Sequence, residues 1–312
     1  MKKYAIYSTL FIVICILLGI VITGAIQFAR LQDKKNRVLK TFDNHIYCPE
    51  NTDKKECVLA PNFDLAIPLN QSESYSKEIA LYGCNLIGCI ESAFKQIPSN
   101  LDTLHIPLPT GIEILKKIYY RHTTIGLICQ TLDTIWVIFR GSQTIAEWHK
   151  DLMIQQVTSD KFNGQVHEGF LKIYDSIQIE IHSYLQQHQS FYNNRYLNIC
   201  GYSLGGALSQ LLLIDSSNSL NFQEKQVYLF GTPRVGNQKF ADSLNNQNIY
   251  RIQNTADIVC DSPPSVSPNF ISDPNHVFLY QHNQKETIQF TINRSSFVEN
   301  HSIKAYLTFL SL

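Results

Sequence analysis

The sequence has no excess of charge of either sign, since 26 Lys and Arg residues balance 26 Asp and Glu residues over 312 positions. No global electrostatic field therefore points to nucleic acid or to an acidic partner. The sequence has no H-E-x-x-H motif, no phosphate-binding loop and no paired-cysteine metal spacing, and we expect no metal and no cofactor. It has no internal repeat. Strand-like runs alternate with helix-like runs, which predicts an α/β fold with a largely parallel sheet.

Long uncharged apolar runs are confined to the N-terminus. Residues 4–26 carry no charge and are numerous enough to cross a bilayer, so we predict that residues 1–29 form a signal-anchor or transmembrane segment. A cleaved secretory signal is the alternative, because Lys2 and Lys3 precede the run and Thr23-Gly24-Ala25 resembles a cleavage site. Residues 30–73 are polar and predict a stalk or cap, and residues 74–312 predict the main domain.

Four cysteines outside the apolar run lie close together in the first third of the chain: Cys48, Cys57, Cys84 and Cys89. They suggest two disulfide bridges in an oxidising compartment, and four ordinary thiols are the alternative. Basic residues after the apolar run would instead keep the domain cytosolic. We favour a single-pass membrane protein with a lumenal or extracellular domain, with secretion after signal cleavage as the alternative.

The sequence around Ser203 reads Gly-Tyr-Ser-Leu-Gly. It follows the strand-like run Tyr196–Cys200 and precedes a helix-like run that begins near Ala207, which is the context this motif requires. A serine in such a turn stands in strained backbone, and the N-terminus of the next helix suits a developing oxyanion. We predict that Ser203 is a nucleophile; a plain strand–helix turn is the alternative.

A serine nucleophile needs a base and a group that orients the base. On a strand–elbow–helix scaffold the acid follows the serine in the chain and the histidine comes last. Asp257 comes shortly after the strand-like run Ile249–Ile252, and His301 stands in a loop before the last helical segment. We therefore predict Asp257 as the acid and His301 as the base. The candidates that fit less well are Asp215, Asp242, Asp261, His276 and His282.

An oxyanion hole requires two backbone N–H groups. One is expected from Leu204, directly after the nucleophile, and the other from a residue that follows an earlier strand. Ser142 follows the strand-like run Thr134–Phe139 and could add its hydroxyl to its N–H. A simple glycine turn is the alternative interpretation of this segment.

Several motifs occur in an order that resembles the class 3 lipase family, the fungal-type triacylglycerol lipases. They are Phe139-Arg140-Gly141-Ser142, Glu147-Trp148, Asp151-Leu152, Val166-His167-Glu168-Gly169-Phe170, Gly201 to Ala207, Phe230 to Asn237 and Asn254 to Val259. The resemblance covers roughly residues 74–310 and implies an α/β-hydrolase fold with the triad and oxyanion residues given above. One departure is Tyr202, where the family usually has His, and we expect its side chain to point away from the reacting groups.

The resemblance also implies a lid around Trp148. Apolar side chains share one face of a short predicted helix in residues 143–153, and charged side chains share the other. The lid residues that we predict are Ile145, Trp148 and Leu152. An ordinary amphipathic surface helix is the alternative.

The motifs predict a serine hydrolase, and the resemblance implies that it cleaves carboxylic esters of lipids, foremost as a triacylglycerol lipase working at a lipid–water interface. A phospholipase A-type enzyme or another carboxylesterase is the alternative, followed by a non-catalytic, membrane-tethered lipid-binding protein. We expect no obligate protein partner and a membrane contact through residues 4–26.

Overall fold

The computed structural model describes residues 74–96, 106, 108, 111–142, 155–192, 195–217, 219–268, 277–285 and 287–312. The predicted segments 1–29 and 30–73 lie outside these residues, and so do the lid residues Ile145, Trp148 and Leu152. In the part of the chain that is described, every helix is too short or too polar to cross a membrane.

A seven-stranded sheet forms the centre of the domain, in the order β1-β2-β3-β6-β7-β8-β11. Its strands are β1 (Glu113–Tyr120), β2 (Thr123–Gln130), β3 (Thr134–Phe139), β6 (Tyr196–Tyr202), β7 (Glu224–Phe230), β8 (Ile249–Asn254) and β11 (Thr287–Phe290). The first three are antiparallel neighbours, and the remaining pairings are parallel. The predicted α/β fold with a largely parallel sheet is confirmed.

Helices and two small sheets surround the central sheet. The helices are α1 (Lys77–Gln96), α2 (Glu168–Gln187), α3 (Gln189–Tyr192), α4 (Leu204–Ser216), α5 (Gln238–Ser243), α6 (Phe297–Asn300) and α7 (Ile303–Leu310), with a 3-10 turn at Ile258–Asp261. The small sheets pair β4 (Gln156–Thr158) with β5 (Gln165–His167) and β9 (Val266–Pro268) with β10 (Val277–Leu279), both antiparallel.

The core lies on both faces of the central sheet. Ile199 packs with the apolar side chains of α2 and α4, whereas the next residue, Cys200, packs with those of α1 and α7. This alternation follows from the strand geometry, in which successive side chains point to opposite faces. Each Leu or Ile buried in these layers stabilises the fold by about 1.5–3 kcal/mol. The two layers hold the strands rigidly, so that the loops at their carboxyl ends are well positioned.

Cys84 and Cys89 are buried free thiols on α1. The expected bridges through these two residues are therefore not formed, because both side chains pack into the layer between α1 and the sheet. Burial raises the pKa of the Cys89 thiol to about 11, and it also raises the pKa of the Cys84 thiol well above its usual value. Cys48 and Cys57 lie outside the described residues.

Candidate active site

Ser203 occupies a sharp turn between β6 and α4. Its backbone has φ +55° and ψ −122°, a conformation that a non-glycine residue adopts only when the surrounding structure enforces it. The turn is so tight that a Cβ on Gly201 would lie 2.2 Å from the carbonyl oxygen of Gly205. The small residues of the motif thus let strand and helix meet, and the serine is presented at the carboxyl edge of the sheet.

The structure brings Ser203, His301 and Asp257 into one hydrogen-bonded chain. His301 Nε2 lies 2.8 Å from Ser203 Oγ, and His301 Nδ1 lies 2.7 Å from Asp257 Oδ2. All three residues are buried. Since an ionised carboxylate can only accept, Nδ1 carries the proton and Nε2 is free to accept the serine proton. This arrangement can activate a hydroxyl as a nucleophile.

The Asp257 carboxylate is fixed by two further donors. Its Oδ1 accepts a hydrogen bond from Val259 N at 2.9 Å, and its Oδ2 accepts one from the Tyr306 hydroxyl. Burial raises the pKa of Tyr306 well above its usual value, so this phenol remains a donor. The contribution of Tyr306 was missed at the sequence level, because nothing in the sequence links α7 to the loop after β8.

The alternative acids are engaged elsewhere. Asp215 accepts a hydrogen bond from the Tyr174 hydroxyl at 2.7 Å. Asp261 pairs with Arg234 Nη2 at 2.9 Å. Asp242 lies just before the end of α5 and accepts hydrogen bonds from two amide side chains. Among the predicted and alternative acids, only Asp257 contacts His301 in the structure.

His282 is also directed away from Ser203. Its Nε2 lies 2.7 Å from the carbonyl oxygen of Cys260, which can only accept, so this nitrogen carries a proton. Burial, assisted by the positive charge of Arg251, lowers the pKa of His282 to about 3. The other alternative base, His276, lies outside the described residues.

Ser142 and Leu204 belong to chain segments that touch each other. A Cβ on Gly205, directly after Leu204, would lie 2.4 Å from the carbonyl oxygen of Phe139 at the end of β3. The start of α4 therefore packs against the segment that leads to Ser142, which is partly buried. The two backbone segments predicted to form the oxyanion hole thus meet beside the serine turn.

Two charged side chains hold the segment before Ser142. The buried Arg140 donates from Nε to the carbonyl oxygen of Thr124 at 2.8 Å. Gly141 N donates to Glu91 Oε1 on α1 at 3.3 Å. The sequence did not point to Glu91, which lies fifty residues earlier in the chain. Within the described ranges no group of three or more His, Cys, Asp and Glu side chains could hold a metal ion.

The side chain of Tyr202 faces the site, and the expectation that it points away is wrong. Its ring stacks on the His301 imidazole with a centroid distance of 4.9 Å and an interplanar angle of 27°. Its hydroxyl donates to the main-chain oxygen of His301. The reason is strand alternation: Tyr202 is the last residue of β6, and its side chain points to the face covered by α1 and α7, next to the loop that carries His301.

Comparison with known proteins shows that the chain resembles one protein family. Residues 136–267 match the family described as lipase (class 3). A lipase of Rhizomucor miehei is 33% identical over 173 residues, which cover 53% of this chain and 48% of that protein. Phospholipase A1-II 3 of Oryza sativa subsp. japonica is 28% identical over 208 residues, covering 55% of this chain and 47% of that protein. The chain spans about half the length of the curated relatives it matches.

The fold has a solved counterpart. The structure of Rhizomucor miehei triacylglyceride lipase is 26% identical, covers 68% of this chain and 80% of that chain, and superimposes with a TM-score of 0.53. The sequence resemblance and the α/β-hydrolase architecture are both confirmed by these matches.

Proposed function

We propose that this chain, which resembles the class 3 lipases over residues 136–267, is a serine hydrolase that cleaves carboxylic esters of lipids. The observation that carries the proposal is the hydrogen-bonded chain from Ser203 through His301 to Asp257, at a strained turn between strand and helix. In this proposal Ser203 is the nucleophile, His301 the base and Asp257 the acid that orients it.

The proposed reaction proceeds through an acyl-enzyme. His301 Nε2 takes the proton of Ser203 as Oγ attacks the ester carbonyl, and Asp257 stabilises the imidazolium that forms. The oxyanion of the tetrahedral intermediate accepts hydrogen bonds from the N–H groups of Ser142 and Leu204. His301 then returns the proton to the departing alcohol. Water, activated by the same imidazole, releases the carboxylic acid.

Exposed apolar side chains support a lipid as the substrate. Ile258 directly follows Asp257 and is 55% exposed. Val266 and Leu279 face each other across the β9–β10 pair, and each is also 55% exposed. An apolar surface in the segment that follows a catalytic residue is suited to a lipid–water interface. We propose triacylglycerol as the main substrate, because the relative with the higher identity is a lipase.

Phospholipid is the second candidate substrate, because another matched protein is a phospholipase A1. Three features stay predictions: the membrane contact through residues 4–26, the lumenal or extracellular placement of the domain, and the domain boundaries at residues 29 and 73. The lid residues Ile145, Trp148 and Leu152 belong to the same proposal.

Fatty-acid release by the full-length protein tests the proposal. We expect release from emulsified triacylglycerol that exceeds release from phospholipid vesicles, and loss of both in Ser203→Ala. Ser217→Ala, at the far end of α4, is the matched control and should behave as the wild type. Faster release from the vesicles would favour the phospholipase. Binding to both substrates without release from either would establish a non-catalytic lipid-binding protein.

A further inference from the structure

Tyr202 contacts His301 at two separate points. It is the residue directly before Ser203, and it is 6% exposed. The ring stacks on the imidazole, and the hydroxyl donates to the main-chain oxygen of the same residue. Burial raises the pKa of Tyr202 well above its usual value, so the phenol stays protonated and remains a donor. One side chain thus contacts both the ring and the backbone of the proposed base.

His301 needs such support because of its place in the chain. It follows the last residue of the four-residue helix α6 and lies two residues before α7. The preceding carbonyl, of Asn300, is held by Asn254 Nδ2 at 3.0 Å. Asp257 holds the ring at Nδ1 and Ser203 Oγ contacts it at Nε2, and these two in-plane hydrogen bonds leave the ring able to rotate about the line that joins them. A stacked aromatic ring restricts this rotation, and a donor on the carbonyl restricts the loop.

The Tyr202 ring also touches the other parts of the site. A Cβ on Gly141 would lie 2.9 Å from both Cδ1 and Cε1 of the ring, so the backbone before Ser142 packs closely on one ring edge. The Tyr306 ring, whose hydroxyl donates to Asp257, meets Tyr202 edge-on at a centroid distance of 6.2 Å. The ring of Tyr202 therefore lies among the segments that carry the oxyanion hole, the base and the acid.

We propose that Tyr202 is a positioning residue, which holds His301 within proton-transfer distance of Ser203 through its ring and its hydroxyl. The inference rests on the proposed function, since it assigns a task to Tyr202 in that reaction. Its physical basis is that a displacement of about 1 Å in a catalytic group can lower the rate about a hundredfold. Tyr202, which directly precedes the nucleophile Ser203, would thus also fix the position of the base His301.

The test compares two buried tyrosines in the full-length protein. Tyr202→Phe removes the donor and keeps the ring, whereas Tyr228→Phe removes a hydroxyl that donates to Gln226 in the same core layer, away from the triad. We measure kcat, KM and Tm with a dissolved short-chain ester, below the lower of the two Tm values. Sites are counted by reaction with an organophosphonate, so that kcat refers to folded protein.

We expect Tyr202→Phe to lower kcat roughly tenfold, as loss of one hydrogen bond to the base loop implies, with KM unchanged. Tyr228→Phe should keep the wild-type kcat, although we expect it to lower Tm by about as much as Tyr202→Phe does. A second variant, Tyr202→His, keeps a ring but loses the hydroxyl, and it should lower kcat as well. If Tyr202→Phe does not fold, the kcat of Tyr202→His tests the positioning role in its place.

Equal kcat values in the Tyr202 and Tyr228 variants would overturn the inference, and so would a loss confined to KM. Failure of the proposed function has a different signature: Ser203→Ala would then hydrolyse the ester as fast as the wild type. An inactive Ser203→Ala together with a fully active Tyr202→Phe would refute the positioning role alone.

Discussion

The imidazole of His301 lies 2.8 Å from the hydroxyl of Ser203, although the two residues are 98 positions apart in the chain. The fold closes this distance by placing the serine at the end of β6 and the histidine between α6 and α7. Both elements are anchored in the core layer that α1 and α7 share with the sheet. The contact is therefore a consequence of the whole domain, and single substitutions can test it.

Substitution of the base and of the acid should inactivate the protein to different degrees. We expect His301→Ala to lower kcat by about 10⁶ and Asp257→Asn by about 10⁴, because the orienting acid is the less critical member of such a triad. The measurement is kcat with a dissolved ester at saturation. His282→Ala is the control and should retain activity within a few-fold. The assignment of the base would be wrong if His282→Ala were inactive and His301→Ala active.

The chain order and the spacing of the motifs allowed the three triad residues to be proposed from the sequence. The motif around Ser203 lies between a strand-like run and a helix-like run, and Asp257 comes shortly after the strand-like run Ile249–Ile252. The contacts of Tyr202 with His301 and of Tyr306 with Asp257 were not predictable, since both depend on elements distant in the chain. Side-chain partners of this kind are set by tertiary packing.

Two strands show that the apolar periodicity of the sequence is not enough to predict every strand and its pairing. β1 lies at the edge of the sheet, where most side chains are only half-buried, so Lys116 and Lys117 interrupt its apolar pattern. The run Val277–Tyr280, which follows β8 in the chain, has a strand-like sequence. A strand does occur there, but it pairs with β9 in a separate sheet, while β11 pairs with β8. A strand pattern indicates extended backbone and leaves the partner undetermined.

Stability should fall as the pH is lowered from neutral towards 4. His167 is 1% exposed, and burial, partly opposed by the Glu168 charge, lowers its pKa to about 4. Between this value and the unfolded value of about 6.5, the unfolded chain binds a proton that the folded chain does not. Folding stability therefore rises with pH in this window and is fully present above it. The expected slope is about 1.4 kcal/mol per pH unit for one such group.

His167→Asn isolates this contribution. The His167 Nδ1 caps α2 by accepting from Gly169 N and Phe170 N, and Asn can supply a comparable acceptor at a helix N-terminus. Urea unfolding at several pH values between 4.5 and 7 should show a shallower slope in the variant than in the wild type. An identical slope in both proteins would contradict a neutral, buried His167.

Activity should increase abruptly when a short-chain ester passes its solubility limit, if residues 143–153 form the proposed lid. Burial of apolar surface is worth about 25 cal/mol per Å², so a lipid surface favours the state in which Trp148 and its apolar neighbours leave the site. Trp148→Ala should reduce this increase more than it reduces hydrolysis of dissolved ester. Leu132→Ala, which removes an exposed apolar side chain before β3, is the control. Smooth saturation through the limit, unchanged in Trp148→Ala, would count against the lid.

The most direct test of the central claim is to identify the serine that reacts with an organophosphonate. The full-length protein is labelled, digested and sequenced by mass spectrometry, in parallel with His301→Ala. Because His301 takes up the proton of the nucleophile, we predict one adduct per chain, located on Ser203, and labelling slowed by several orders of magnitude in the His301 variant. An adduct on another serine, formed at the same rate in both proteins, would contradict the account.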